Sequence, residues 1–121
     1  MFTPELCGAG RQQHPPVIGG KRPIIIDDMI STGGTIARCV GALLEKGALP
    51  DVRVVATHGV FVGRALEYLA HPAISEVVTT DTIPPPAEPP ANLRVVSIAP
   101  LLAEAIRRIH TESSVSEVFE R

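Results

Sequence analysis

The stretch "PIIIDDMISTGGTI", residues 23–36, decides how the fold is read. Three isoleucines run into two acids, and a short polar turn with two glycines follows. An apolar run of this length, bounded by acid and glycine, reads as a buried strand over 23–27. The period changes from residue 34. Ile36, Val40, Leu43 and Leu44 recur at helical spacing up to residue 46, with Arg38, Glu45 and Lys46 on other faces. Gly47 stands where such a helix would stop. Strand, tight turn and helix make the first half of a βα unit.

The rest of the chain repeats that alternation. "VRVVAT" (52–57) reads as a second strand, and "GRALEYLA" (63–70) as a short helix with Leu66 and Leu69 inward. "EVVTT" (76–80) is a third strand. "IPPPAEPPAN" (83–92) is a stiff connector that cannot lie inside a sheet. "RVVSIA" (94–99) is a fourth strand. "PLLAEAIRRIH" (100–110) is a helix with Pro100 in its first turn and an apolar stripe of Leu101, Leu102, Ala105, Ile106 and Ile109. The tail 114–120 is read as one more helical turn. This order predicts a three-layer α/β domain with a mainly parallel sheet and helices on both faces. Residues 19–121 form that domain, and 1–18 are a lead-in with no clear period.

Composition narrows the function. At 121 residues the chain suits one domain. The net charge of −2 gives no electrostatic reason for a nucleic-acid or membrane partner. No apolar run approaches membrane-spanning length, and the first 20 residues lack the apolar centre of a signal peptide. Cys7 and Cys39 are too few for a disulfide framework, and Cys39 is expected to pack as a small apolar side chain. A cytoplasmic setting follows as the expectation.

The opening stretch also has a chemical reading. Ligands of open parallel sheets gather at the carboxyl ends of the strands, and Asp27 and Asp28 fall there. A ribose diol offers two neighbouring O–H donors, and a carboxylate is an acceptor-only group able to take both. The same acids suit Mg²⁺, which prefers hard oxygen ligands and keeps several waters. Adjacent strand residues point to opposite faces, so both acids meet one ligand only where the strand is turning. Ser31, Thr32, Gly33, Gly34 and Thr35 then precede or open the helix, whose first N–H groups are free to hold a phosphate. The glycines allow close backbone approach. Diol acceptors and phosphate donors thus stand one short loop apart, the separation a ribose 5-phosphate needs. The plainer reading is that Asp28 ends a strand and Thr32 caps a helix. No Lys follows the glycines, so this is not a Walker loop, and the G-x-G-x-x-G spacing of dinucleotide folds is absent.

At these residues the sequence resembles the phosphoribosyltransferase-type fold, whose loop is D-D-x-x-x-T-G-G-T. "ATHGVFVGRALEYL" (56–69), "VVTTDTIP" (77–84) and "VVSIAPLLAEAIRRIHTESSVSEVF" (95–119) narrow the likeness to the C-terminal half of ribose-phosphate pyrophosphokinases. The resemblance covers about residues 17–121. It implies a domain of nucleotide biosynthesis that binds ribose 5-phosphate or phosphoribosyl pyrophosphate. Asp27 and Asp28 would hold ribose and metal, and Ser31 to Thr35 the 5-phosphate. Family members often carry Asp where Ser31 stands. The full kinase transfers a diphosphoryl group from Mg-ATP and forms homo-oligomers. Its first half supplies most of the ATP site, and a loop with catalytic Lys and Arg precedes the stretch matching 17–28. Here the first 20 residues hold only Arg11 and no Lys. The expectation is therefore sugar-phosphate binding with no turnover by the chain alone, and no catalytic residue is assigned. Two alternatives stand beside it: a non-catalytic partner of complete kinase subunits, and a stand-alone phosphoribosyltransferase acting on a base.

Other polar residues are weighed one at a time. His58 follows the second strand at the ligand edge, as a phosphate or acid–base group or, on the plainer reading, a turn residue. Asp81 and Thr82 follow the third strand at the same edge, as site-lining groups or, on the favoured reading, a cap or turn. His71 and His110 are read as surface, Arg64, Arg107 and Arg108 as solvated faces or contacts between subunits, and His14 has no assigned role. The four histidines have no metal-ligand spacing.

Overall fold

The computed structural model describes residues 17–120. Most of the lead-in 1–18, with Cys7, Arg11 and His14, lies outside the described residues. The elements run β1 (Ile24–Ile30), α1 (Gly34–Glu45), β2 (Val52–Gly59), α2 (Ala65–Leu69), β3 (Ile74–Thr80), β4 (Leu93–Val96) and α3 (Ala99–His110), then a 3₁₀ turn at Ser116–Val118. The four strands form one parallel sheet in the order β1-β2-β3-β4. This is the expected α/β class.

Successive crossovers in one direction put α1 and α2 on the same face, where they touch. Ile25, Val54 and Val77 lie in register on that face and are buried. Ile36, Cys39, Val40 and Leu43 of α1 and Leu69 of α2 close over them. The predicted helical spacing in α1 therefore marks the core, and Cys39 joins it. The end of α1 is built as anticipated. Gly47 has φ +83, its N–H reaches Leu44 O, and the Ala48 N–H reaches Leu43 O. That paired pattern satisfies the carbonyls a helix end leaves orphaned.

Three features differ from the sequence reading. First, β1 continues to Ile30, so Asp27 and Asp28 lie inside the strand and not at its end. Strand pairing holds past the acids, with Met29 opposite His58 and Ile30 opposite Gly59. Second, the apolar stripe of α3 is present but open: Leu102, Ile106 and Ile109 are 51%, 66% and 67% exposed. On the sheet face away from α1, Ile24 and Ile26 are exposed as well. Third, Arg108 is not a solvated surface group. It is 9% exposed and donates to Glu104, Glu117 and the Ser114 carbonyl, each at 2.7 Å. Arg107 completes a bidentate pair with Glu104.

Asn92 fastens the proline connector. Its Nδ2 donates to Leu69 O at 2.9 Å and Ile74 O at 3.2 Å, tying the start of β4 to the end of α2 and the start of β3.

The α3 clamp has an acid limit. Hydrogen bonds from Arg107 and then Arg108 hold the Glu104 carboxyl down from its usual 4.5 to about 2. A depressed carboxyl stabilises the fold above its ordinary value and loses that contribution as pH falls through the depressed one. Lowering the pH from 4.5 toward 2 is therefore expected to free the 114–118 turn from α3 before the sheet opens. Amide NMR signals of Val115 and Glu117, followed against Val54 and Val77, measure this. Simultaneous loss of both sets would refute it.

Candidate functional site

The carboxyl edge of the sheet is assembled by one local geometry. β1 ends at Ile30, three bends follow, and α1 begins at Gly34. The turn needs a left-handed residue, and Gly33 supplies it at φ +76. A Cβ there would stand 3.3 Å from Ala65 Cα and 3.5 Å from Ala65 O. Position 33 thus requires glycine twice, for its backbone angle and for the close passage of α2.

The segment after β2 locks this turn. Val60 and Phe61 both donate their N–H to Ile30 O, at 3.0 and 3.1 Å, and Val62 donates to Ser31 O at 3.0 Å. Phe61 adopts φ +50 to do so, a strained angle for an aromatic residue.

No side chain caps α1. Thr32 does not cap it, so the plain capping reading fails. The N–H groups of Gly34, Thr35 and Ile36 have no acceptor among the described residues. Thr35 and Ile36 also line a cleft of about 100 Å³, together with Asp27, Met29, Ile30, Ser31, Thr32 and Gly33. That space is several water volumes, enough for a phosphate. It is well below the roughly 300–1,000 Å³ of sites that enclose a whole drug-sized ligand. Ser31, Thr32 and Thr35 are exposed, with their hydroxyls available to a ligand.

The two acids divide. Asp27 is half-buried and lines the cleft, whereas Asp28 is exposed and does not. Each curls back onto the next residue: Asp28 N–H donates to Asp27 Oδ1 and Met29 N–H to Asp28 Oδ1, both at 2.8 Å. The carboxyls also interact with one another. Burial raises the Asp27 pKa, reinforced by the hydrogen bond with Asp28. Asp28 is lowered, first by that same hydrogen bond, then by the Met29 N–H, with the His58 charge adding a little. Two carboxylates beside open solvent would suit Mg²⁺, which retains waters. No group of three or more His, Cys, Asp or Glu side chains gathers for a metal among the described residues, so an all-protein cage is absent there.

Of the remaining candidates, Asp81 accepts the Ile98 N–H at 2.8 Å and fixes the entry to α3. Thr82 Oγ1 lies 2.8 Å from His58 Nδ1. His71 Nδ1 accepts the Ala73 N–H in a turn. Arg64 pairs with Glu67 and lies over the Tyr68 ring.

Comparison with known proteins agrees with this geometry. The profile of the phosphoribosyl synthetase-associated domain matches residues 7–120. This chain belongs to that family. It is 48% identical over 103 residues to a ribose-phosphate pyrophosphokinase of Caldanaerobacter subterraneus subsp. tengcongensis, covering 84% of this chain and 32% of that protein. Its likeness to the Hyphomonas neptunium ribose-phosphate pyrophosphokinase is 46% over 118 residues, covering 93% and 38%. The crystal structure of phosphoribosylpyrophosphate synthetase from Mycobacterium smegmatis superposes with a TM-score of 0.76 at 44% identity, over 82% of this chain and 33% of that one. The chain thus spans about a third of the length of the curated relatives it matches. The phosphoribosyl synthetase family and the fold read from the sequence both hold. No helix among the described residues is long and apolar enough to cross a membrane.

The neighbouring glycines separate two roles. Gly33→Ala is expected to lose about 1–2 kcal/mol of stability, the cost of a left-handed non-glycine residue, plus the crowding against Ala65. Gly34 has ordinary φ, and an added Cβ would meet only Thr32 Oγ1 at 3.7 Å. Gly34→Ala should fold with near-normal stability yet weaken anion binding, because the methyl group obstructs the backbone donors. Urea denaturation and phosphate titration of both variants read the two effects. Equal stability losses would contradict the division.

Proposed function

We propose that this chain is a sugar-phosphate-binding domain of the ribose-phosphate pyrophosphokinase type, taking ribose 5-phosphate or phosphoribosyl pyrophosphate. The observation that carries this reading is the uncapped start of α1, whose free N–H groups share one small cleft with Asp27. The amides and the hydroxyls of Ser31, Thr32 and Thr35 take the 5-phosphate. Asp27, with Asp28, takes the ribose hydroxyls and Mg²⁺. The metal supplies charge neutralisation for phosphate oxygens when bound; the chain's own residues supply orientation.

Turnover is assigned to the complete enzyme. Phosphoryl transfer depends on positioned cations around the transferred group. The described residues at the carboxyl edge hold acids, hydroxyls and amides, but neither Lys nor Arg lines the 27–36 cleft. The stand-alone base transferase is disfavoured by the size of this cleft, which leaves no enclosed seat for a base. The partner reading gains from a different observation. β1 is an edge strand with Ile24 and Ile26 exposed, and α3 leaves its apolar stripe open. Such surface suits further polypeptide, and a complete kinase subunit or a second copy of this chain would supply it in a cytoplasmic nucleotide-biosynthesis enzyme.

Calorimetric titration tests the proposal. Ribose 5-phosphate with Mg²⁺ should bind measurably, and Mg-ATP alone should give little heat. Tight Mg-ATP binding, or diphosphoryl transfer by the isolated chain, would overturn the assignment of the ATP half to other polypeptide.

A further inference from the structure

The outer edge of the sheet carries a self-complementary pattern. Among the described residues, β1 pairs with β2 on one side and with no strand on the other. Lys21 O accepts the Leu49 N–H and Pro23 O accepts the Arg53 N–H, so the odd positions turn their backbone groups toward β2. The even positions therefore turn theirs outward. Ile24 and Ile26 present N–H and C=O groups along this edge, a template for a further strand. Backbone pairing would stop at Asp28, whose N–H is already held by Asp27 Oδ1 at 2.8 Å. The side chains follow the same alternation. Arg22, Ile24, Ile26 and Asp28 project from one face, the one away from α1, and all four are exposed.

Along that face the order is cation, two isoleucines, anion. Reversed, this order fits itself. An antiparallel second copy centred on Ile25 sets Ile24 opposite Ile26 and Arg22 opposite Asp28, and a two-fold axis repeats each contact. The isoleucine pairs then fall where facing residues exchange both N–H···O bonds. Their side chains leave water together, and opposite charges directly across an antiparallel pair attract. Other registers lose this match. A slide of two residues sets Asp28 opposite Ile24, or Arg22 opposite Ile26. A slide of one sets outward backbone groups against inward ones. Arg22 is free to serve: its Nε lies 3.0 Å from Asp51 Oδ2, yet the side chain is 71% exposed, which leaves its terminal nitrogens to a second carboxylate.

We propose that a second copy of this chain docks antiparallel on β1, so that two four-stranded sheets join into one continuous sheet across a two-fold axis. The charges select the occupant. An apolar strand of any origin would cover Ile24 and Ile26, but it would leave Arg22 and Asp28 without opposite charges. This chain's own edge supplies both, in the register that also matches the isoleucines. The inference goes beyond the proposed function and calls on no ligand.

Sedimentation velocity of the full chain over a series of concentrations tests this, with circular dichroism as the check on folding. The wild type is expected to dimerise reversibly. Ile26→Lys sets a charge against Ile24 of the second copy and should leave a monomer; Ile26 is 46% exposed, so the fold itself tolerates the change. Arg22→Asp puts like charges opposite each other at both ends and should weaken dimerisation about tenfold. Adding Asp28→Arg to that variant exchanges the two charges and should restore most of the loss. Ile106→Lys, on the exposed stripe of α3, should dimerise as the wild type does. A wild type that stays monomeric at the highest concentration reached, or a dimer that survives Ile26→Lys, would overturn the proposal. So would a dimer broken by Ile106→Lys, or a folded double variant that recovers nothing. None of these outcomes touches the sugar-phosphate reading, which ligand titration decides.

Discussion

Everything at the ligand edge depends on the contact between Gly33 and Ala65. The left-handed turn lets the chain leave a parallel strand and start a helix within three residues, so the uncapped start of α1 borders the cleft beside Asp27. Ala65 is fully buried and presses its backbone where a Cβ would be. The loop 31–33 is therefore packed from behind and not merely draped over the sheet. On the proposed function, such bracing spares anion binding the ordering cost a loose loop would incur.

The same economy explains Phe61. An aromatic residue at positive φ costs about 1–3 kcal/mol and persists only where the surroundings enforce it. Here they do: the residues on either side donate to the last carbonyls of β1 and to Ser31, and the ring packs over Gly59, where a Cβ would stand 2.5 Å from it. β2 and its hook thus brace both the end of the acid-bearing strand and the start of the loop. The stretch 56–69, which the resemblance singled out without giving it a task, braces the loop: Ala65 lies behind it, and residues 60–62 hold its base.

What could be read in advance was what local spacing encodes. α1 was legible because Ile36, Val40 and Leu43 share one face, and Gly47 is the only kind of residue that terminates it at φ +83 without strain. The strands were legible from their β-branched runs. The end of β1 was not. Two consecutive acids look like a terminus, yet an edge strand can carry them when each carboxylate bonds the next N–H and faces water. Asn92, Thr82 and Asp81 were also beyond local pattern, because their partners lie 17 to 25 residues away. Sequence named Asp81 and Thr82 as turn residues; only the fold shows that one fixes α3 and the other fixes a histidine. The α3 stripe failed for a third reason: periodicity says that a face is apolar, not what covers it.

That last failure bears on how a domain of this size relates to its longer relatives. The sheet face covered by α1 and α2 buries its apolar residues, and the core centres on Val52, Val54, Val77, Leu43 and Leu69. Ile24 and Ile26 on the opposite face of β1, and Leu102, Ile106 and Ile109 on α3, are exposed. The carboxyl edge of the sheet differs. Its loop is braced by α2 and by the hook after β2, all within the described residues. Two parts of the chain thus differ: a loop that is locally braced, and apolar side chains on β1 and α3 that are left exposed. On the proposed function, binding at the loop calls only on the braced part, which is why ligand titration, more than turnover, reports on what this chain's own residues do.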